Sequence, residues 1–506
     1  MKRLPRSLLA NPGSAIKATK AALLGLAGAS SLAWATPGVP GSIDGTWAPL
    51  SPYGPGKLIT VVSSFSDTAS AMAIQVDGKI VLAGYCSNNF CAVRYNTDGS
   101  LDSGFGGTGS VLTQVGASSG VANAVTVQPD GKIVLGGWCL LASGVSPSFC
   151  AVRYTANGNL DTGFNGSGKV VTPMSGFDKR ATAVAMQGDG KIVLAGGCDG
   201  SFCAVRYNAD GSLDTTFNTS GIVVTQNFGR AYALAIQADG KIVLAGSCAN
   251  SVSGSCVARY NANGLLDTAF NGTGMRTGVP IGYLQAVAMQ PDGKIVLAGG
   301  CFGFCAARLH ADGSVDTGFN GTGVSDTDLT AGANGAQAVA IQADGRIVLA
   351  GFCRDASSHD DFCVLRYNGD GSLDSSFNAS NVPLRGTAIT PVGSLNDIAY
   401  AMAIQADGKI VLAGTCEIPN GSNGLRKFGT VRYEGGPFAA QNCKLDIDGD
   451  NRVLATTDSL IHARIARGMT GSAVVAGINF PAEATRKTWP EIRAYLVTQC
   501  GMSLPP

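Results

Sequence analysis

The chain repeats one phrase seven times, and that repetition limits the folds open to it more than any other feature. The phrase AMAIQVDGKIVLAGYCSNNFCAVRYNTDGSLDSGF begins at Ala71, and close copies follow at a mean spacing of 55 residues. The first Asp-Gly turn of each copy falls at Asp77, Asp130, Asp189, Asp239, Asp292, Asp344 and Asp407. A fixed period of this size marks a stacked architecture, in which each unit covers the apolar face of its neighbour.

Each copy divides into four strands. AVAIQ alternates apolar and small residues, and an Asp-Gly turn suited to a tight hairpin follows it. KIVLAGxC is apolar and β-branched enough for a fully buried strand. After a variable loop comes FCAVRYN; a second Asp-Gly or Asn-Gly turn then leads through SLDxxFNGxG to a β-rich stretch such as KVVT. One four-stranded sheet cannot bury both faces alone, whereas seven ranged about an axis bury them and leave only short edges. The expected fold is therefore all-β, a seven-bladed β-propeller of four-stranded antiparallel blades over residues 36–436. The seventh copy stops at FGTVRYEGG, and its missing end stands near the N-terminus as SIDGTW (Ser42 to Trp47) and KLITVV. Segment 42–63 is thus expected to complete the last blade.

The pattern AxAIQxDGKIVLAG…FCAVRYNxDGSLDxxFNGxG resembles the delta-60 repeat, a bacterial propeller-type repeat family, and more loosely NHL-type blades. The resemblance runs from about Ser42 to Tyr433. It implies the propeller fold and brings no enzymatic activity with it.

Six copies carry one cysteine at the end of LAGxC and another opening the next strand. The pairs are Cys86 with Cys91, Cys139 with Cys150, Cys198 with Cys203, Cys248 with Cys256, Cys301 with Cys305, and Cys353 with Cys363. Antiparallel neighbours place such residues opposite each other within disulfide reach, so six bridges inside blades are expected. The seventh blade has Cys416 but Gly429 in the partner position, which leaves Cys416 a free thiol. With only three histidines in the chain and none repeated, cysteine-based metal binding is the weaker reading.

Arg94, Arg153, Arg206, Arg259, Arg308, Arg366 and Arg432 hold one position in all seven copies. Asp102, Asp161, Asp214, Asp267, Asp316 and Asp374 recur in SLD or its equivalent, and Asp44 supplies the seventh. An arginine inside an apolar strand must be paired to be tolerated, and these aspartates are its natural partners. Residues present in every blade are expected to hold the blade, so residues that differ between blades are the candidates for function. The one-to-two and three-to-four turns are nearly constant. The two-to-three and four-to-one loops vary, as in Leu140 to Ser148, Arg354 to Asp361, Glu417 to Lys427 and Ser325 to Gln337. Both variable sets emerge on one face, the expected binding surface for an extracellular protein or glycan.

Residues 1–35 read as a secretory signal peptide: a basic start, the apolar run Ala21 to Ala35, and the small-x-small site Ala33-Trp34-Ala35. That run is shorter than the ~20 residues of a spanning helix. Secretion to the periplasm, cell surface or medium suits the cysteines. Five of the 36 basic residues and none of the 35 acidic ones lie in this segment. The mature chain is mildly acidic and has no basic cluster, which disfavours nucleic acid as a partner.

After Gly436 the repeat ends, and residues 437–506 read as a small α-helical calcium-loop module. Asp446, Asp448 and Asp450 alternate, Arg452 stands where a backbone carbonyl usually serves, and Asp458 precedes a predicted helix over 459–467. Hard oxygen ligands at this spacing suit Ca²⁺. The segment resembles a dockerin-like or EF-hand-like loop, with Asn451, Leu454 and the late Asp458 as departures. A second helix is predicted from Trp489 to Thr498, and a Cys443–Cys500 disulfide would staple the module.

Two functions fit. The first is a secreted, non-enzymatic binding or scaffold protein. The second is an extracellular propeller enzyme acting on polysaccharide, with Asp326, Asp328, Asp360 and Asp361 as channel-mouth carboxylates. His310, His359 and His462 are isolated and form no catalytic cluster.

Overall fold

The apolar run IVLAG, IVLGG in blade 2, forms the second strand of a four-stranded sheet, and its residues are buried in all seven blades. β-branched side chains at consecutive positions suit a strand covered on both faces. The computed structural model describes residues 38–436, apart from 142–145, 175, 227, 250–253, 330–331, 382–383 and 421–422. Beyond them it describes 461, 471–480 and 484–498. It is an all-β, seven-bladed propeller of antiparallel four-stranded sheets. In blade 1 the strands are Asp67–Ile74, Ile80–Cys86, Asn89–Tyr95 and Ser110–Thr113, paired in sequence order.

The apolar cores lie between blades. One joins Val81, Ala83 and Phe90 of blade 1 to Ile133, Leu135 and Cys150 of blade 2. Hydroxyl pairs cross the same seams: Tyr154 to Thr113 at 2.6 Å, Tyr207 to Thr172 at 2.5 Å and Tyr433 to Thr390 at 2.7 Å. In blade 5 a leucine, Leu309, takes the tyrosine position, and Val279 of blade 4 takes the threonine position. Both are buried in one cluster. The chain thus replaces a polar pair with an apolar pair at this seam, so neither position carries a hydroxyl that needs the other.

The N-terminal segment closes the propeller. Lys57–Thr60 is the fourth strand of blade 7, paired with Asn423–Tyr433. Ile43 bridges Tyr433, as Leu101 bridges Tyr95 in blade 1. The Asn378 N–H donates to Pro40 O at 2.6 Å, and the Ala48 N–H donates to Asp98 O at 2.9 Å, so the segment ties blades 6 and 1 as well.

One expectation needs correction. Glu417 to Lys427 is largely not a loop: the strands Ile410–Asn420 and Asn423–Tyr433 continue through it as a long hairpin. In the C-terminal part, Trp489–Thr498 is helical. Glu491 Oε2 accepts the N–H groups of Lys487 and Thr488 at 3.0 Å, the reciprocal half of a capping box. Of the helix expected over 459–467, all but Ile461 lies outside the described residues.

Candidate ligand-binding site

The first strand of every blade breaks register at one shared position. Pairing skips Ser70, Asn123, Thr182, Tyr232, Gln285, Gln337 and Tyr400, each between small or aliphatic neighbours. Such bulges turn the extra residue out of the ladder. Here all seven line a single cavity of about 430 Å³ that all seven first strands enclose. The second strand accommodates the distortion with glycine. A Cβ on Gly84, Gly137 or Gly196 would collide with the carbonyl oxygen of Thr68, Val121 or Arg180 respectively, and the same holds in the other four blades.

Thr68, Trp138, Arg180 and Arg230 complete the lining. They stand nearer the variable face, two residues before the bulge or, for Trp138, opposite Val121. The Arg180 guanidinium lies over the Trp138 indole, 5.1 Å from its centre. Arg230 pairs with Asp178 Oδ2 at 2.5 Å, and Arg180 Nε lies 3.1 Å from Asp178 Oδ1. Two bulge side chains also bind the neighbouring blade: Asn123 donates to Ala181 O at 2.7 Å and Thr182 to Ala231 O at 2.6 Å. The cavity is therefore lined by hydroxyls, amides, aromatic groups and two guanidiniums held against fixed partners.

The repeated residues occupy the blade frame. Each repeated arginine pairs with its aspartate, from Arg94–Asp102 at 2.7 Å round to Arg432–Asp44 at 2.7 Å. Each also covers an aromatic group, six phenylalanines and, at the closure, Trp47. It then donates to a backbone carbonyl of the next blade, as Arg94 does to Ala156 and Arg366 to Gly435.

All six expected cysteine pairs are joined within their blades. Cys86 is bonded to Cys91, Cys139 to Cys150, and Cys198 to Cys203. Cys248 is bonded to Cys256, Cys301 to Cys305, and Cys353 to Cys363. Their relative placement needs correction, because the partners do not face each other directly. Cys91, Cys150, Cys203, Cys256, Cys305 and Cys363 each face the glycine of LAG, as Cys91 faces Gly84 and Cys203 faces Gly196. In blade 1 Cys86 faces Asn89, two positions along, so the bridge runs diagonally across the hairpin. The facing residue must be glycine for the bulge, which moves the bonding partner down the strand. Cys416 is free and buried.

None of the four candidate carboxylates lines the cavity, and Asp360 shares a neighbouring pocket with the lining residue Tyr400. Asp326, on the outermost strand of blade 5, accepts the Gly303 N–H, and Asp328 accepts from Asn334. Asp360 and Asp361 are on the third strand of blade 6, where Asp360 pairs with Arg354 at 2.9 Å. Asp361 is pushed up to about 6 by burial and by the carboxylates of Asp397 and Asp355. The seam between blades 7 and 1 instead holds the buried ion pair Lys427–Asp67 at 3.2 Å. Asp446, Asp448, Asp450, Arg452, Asp458, Cys443, Cys500 and His462 lie outside the described residues. Among the described residues, no group of three or more His, Cys, Asp or Glu side chains is placed to hold a metal.

The bulge residues escaped the sequence reading, although a signal was present. In AxAMAIQ and its variants the residues around x barely change, while x itself is Ser, Asn, Thr, Tyr, Gln, Gln and Tyr in turn.

The family model described as "Domain of unknown function (DUF5122) beta-propeller" matches residues 75–105, 128–164, 187–217, 237–270, 290–319 and 342–377. The chain is a β-propeller repeat protein. No curated protein matches it. Among solved structures, it is similar to a catalytically inactive virginiamycin B lyase from Staphylococcus aureus with quinupristin, at 10% identity and TM-score 0.44, covering 74% of this chain and 98% of that one. It is also similar to Chaetomium thermophilum Sqt1, at 12% identity and TM-score 0.37, covering 74% and 96%. A fungal alcohol oxidase in complex with copper gives 14% identity and TM-score 0.38, covering 75% of each chain. None of these carries an activity to this chain.

Proposed function

We propose that the mature chain is a secreted, non-enzymatic binding or scaffold protein that takes an extracellular ligand at the variable mouth of its channel. One observation carries the reading: in a chain that repeats almost everything, a position that changes from blade to blade converges on one cavity. Side chains freed from the repeat and gathered in a concave site are where specificity can reside. The lining offers hydrogen bonds, aromatic faces and positive charge. The enzyme reading rests on Asp326, Asp328, Asp360 and Asp361; none of them lines the cavity, Asp328 accepts from Asn334 and Asp360 pairs with Arg354. A glycoside hydrolase typically uses two carboxyl groups flanking one bond.

Secretion is supported by the signal-like residues 1–35 and by the disulfides, which persist in oxidising compartments. Among the described residues, no helix is long and apolar enough to cross a membrane. We retain Ca²⁺ as the ligand of the C-terminal module on the spacing of its aspartates alone.

A retention screen of the mature protein against extracellular glycans and envelope extracts, with and without Ca²⁺, tests the proposal. The wild type should retain a ligand that the Tyr232→Ala and Gln285→Ala variants lose. No retention by the wild type, or equal retention by the variants, would overturn the channel as the binding site.

A further inference from the structure

We infer that the channel mouth recognises a saccharide bearing a single carboxylate, of the uronate class; this rests on the binding reading and specifies its ligand. Among the described residues, the lining contains no aliphatic side chain. A peptide anchored by apolar residues would find no apolar pocket, whereas a polyhydroxylated ligand would find partners on most sides. Amide groups from Asn123, Gln285 and Gln337 each offer a donor and an acceptor, the pair that a vicinal diol requires. Trp138, Tyr232 and Tyr400 supply aromatic surface for the C–H face of a sugar.

The charge selects the acid. Arg180 and Arg230 come from adjacent blades and share one carboxylate, Asp178, which leaves one positive charge in excess. Beside them the Lys179 ammonium donates to the carbonyls of Met174 and Gly176, and the Asp199 carboxylate accepts two N–H groups, so these two charges offset each other. An excess of one matches a carboxylate monoanion. A phosphate dianion would leave uncompensated negative charge. Guanidinium also has the planar fork that meets a carboxylate by two hydrogen bonds.

Calorimetry on the full secreted chain tests this with three probes: galacturonate, its methyl ester and inorganic phosphate. The acid should bind at least tenfold more tightly than the ester. Arg230→Gln should weaken the acid at least tenfold and leave the ester unchanged, while Tyr232→Ala should weaken both. Arg180→Gln replaces Arg230→Gln if the latter lowers the thermal midpoint. Equal affinity for acid and ester, or tighter binding of phosphate, would overturn the uronate assignment. If no saccharide binds but an extract ligand is retained in a Tyr232-dependent way, the assignment falls and the binding reading stands. If the wild type retains nothing, both fall.

Discussion

The glycine of LAG and the variable residue opposite it form one device. The bulge frees a side chain for the channel and presses a carbonyl onto the next strand, where only a residue without Cβ fits. Gly137→Ala should therefore cost about 1–3 kcal/mol, the usual range for overpacking. Gly188→Ala is its control: its added Cβ has no neighbour within 4 Å, and the change should stay within roughly 0.5 kcal/mol. Urea midpoints of the two variants decide the matter, and equal losses would refute the account. At this scale the sequence was legible where a residue recurs. The Arg94–Asp102 pairing could be read because both partners repeat. The bulge could not, because it is a property of pairing register, which a single strand does not reveal. Only the changing residue between flanks that are alanine at all but one position, Leu284, hinted at it.

At the scale of the blade, the seventh unit tests what the cysteines do. Gly429 faces Gly414 and Cys416 faces Lys427, the same register that joins Cys91 to Cys86 in blade 1. A Cβ on Gly429 would fall against Cys416 Sγ, so the thiol must rotate to pair. Gly429→Cys should form a seventh bridge. The denatured protein should then titrate one fewer thiol than the wild type and gain up to roughly 3 kcal/mol for a loop of this size. One additional thiol instead would show that the rotation is blocked. The strands themselves were readable from alternation and Asp-Gly turns. The Glu417 to Lys427 hairpin was not, because its Pro, Asn and Gly residues are turn formers, and they gave no sign that the pairing of its parent strands continues through them.

For the whole molecule the decisive element is closure, and it was legible because the piece missing from blade 7 reappears at residues 42–60. The helix Trp489–Thr498 was legible for a local reason, its Thr488-Trp-Pro-Glu start. Closure turns on Asp44. It pairs with Arg432 and with Lys409, both at 2.7 Å, and accepts two bonds from Thr46. Burial alone would raise its carboxyl, but Lys409, Thr46 and Arg432 hold it down at about 2. A depressed carboxylate stabilises the fold above its unfolded value near 4 and loses that contribution as pH falls towards 2, here roughly 2–3 kcal/mol. Asp44→Asn leaves Arg432 buried without its charge partner and should cost roughly 3–5 kcal/mol at neutral pH. Urea unfolding from pH 7 to pH 2 should show the stability gap between wild type and variant narrowing below pH 4. A gap that stays constant would exclude Asp44 as the acid-sensitive latch. Because the closed circle has no free end blade, wild type should lose its blades in one transition; an open stack would fray from its termini first. A variant whose latch is broken should therefore show an early, partial step confined to blade 7, visible as exposure of the Cys416 thiol before the other six blades unfold.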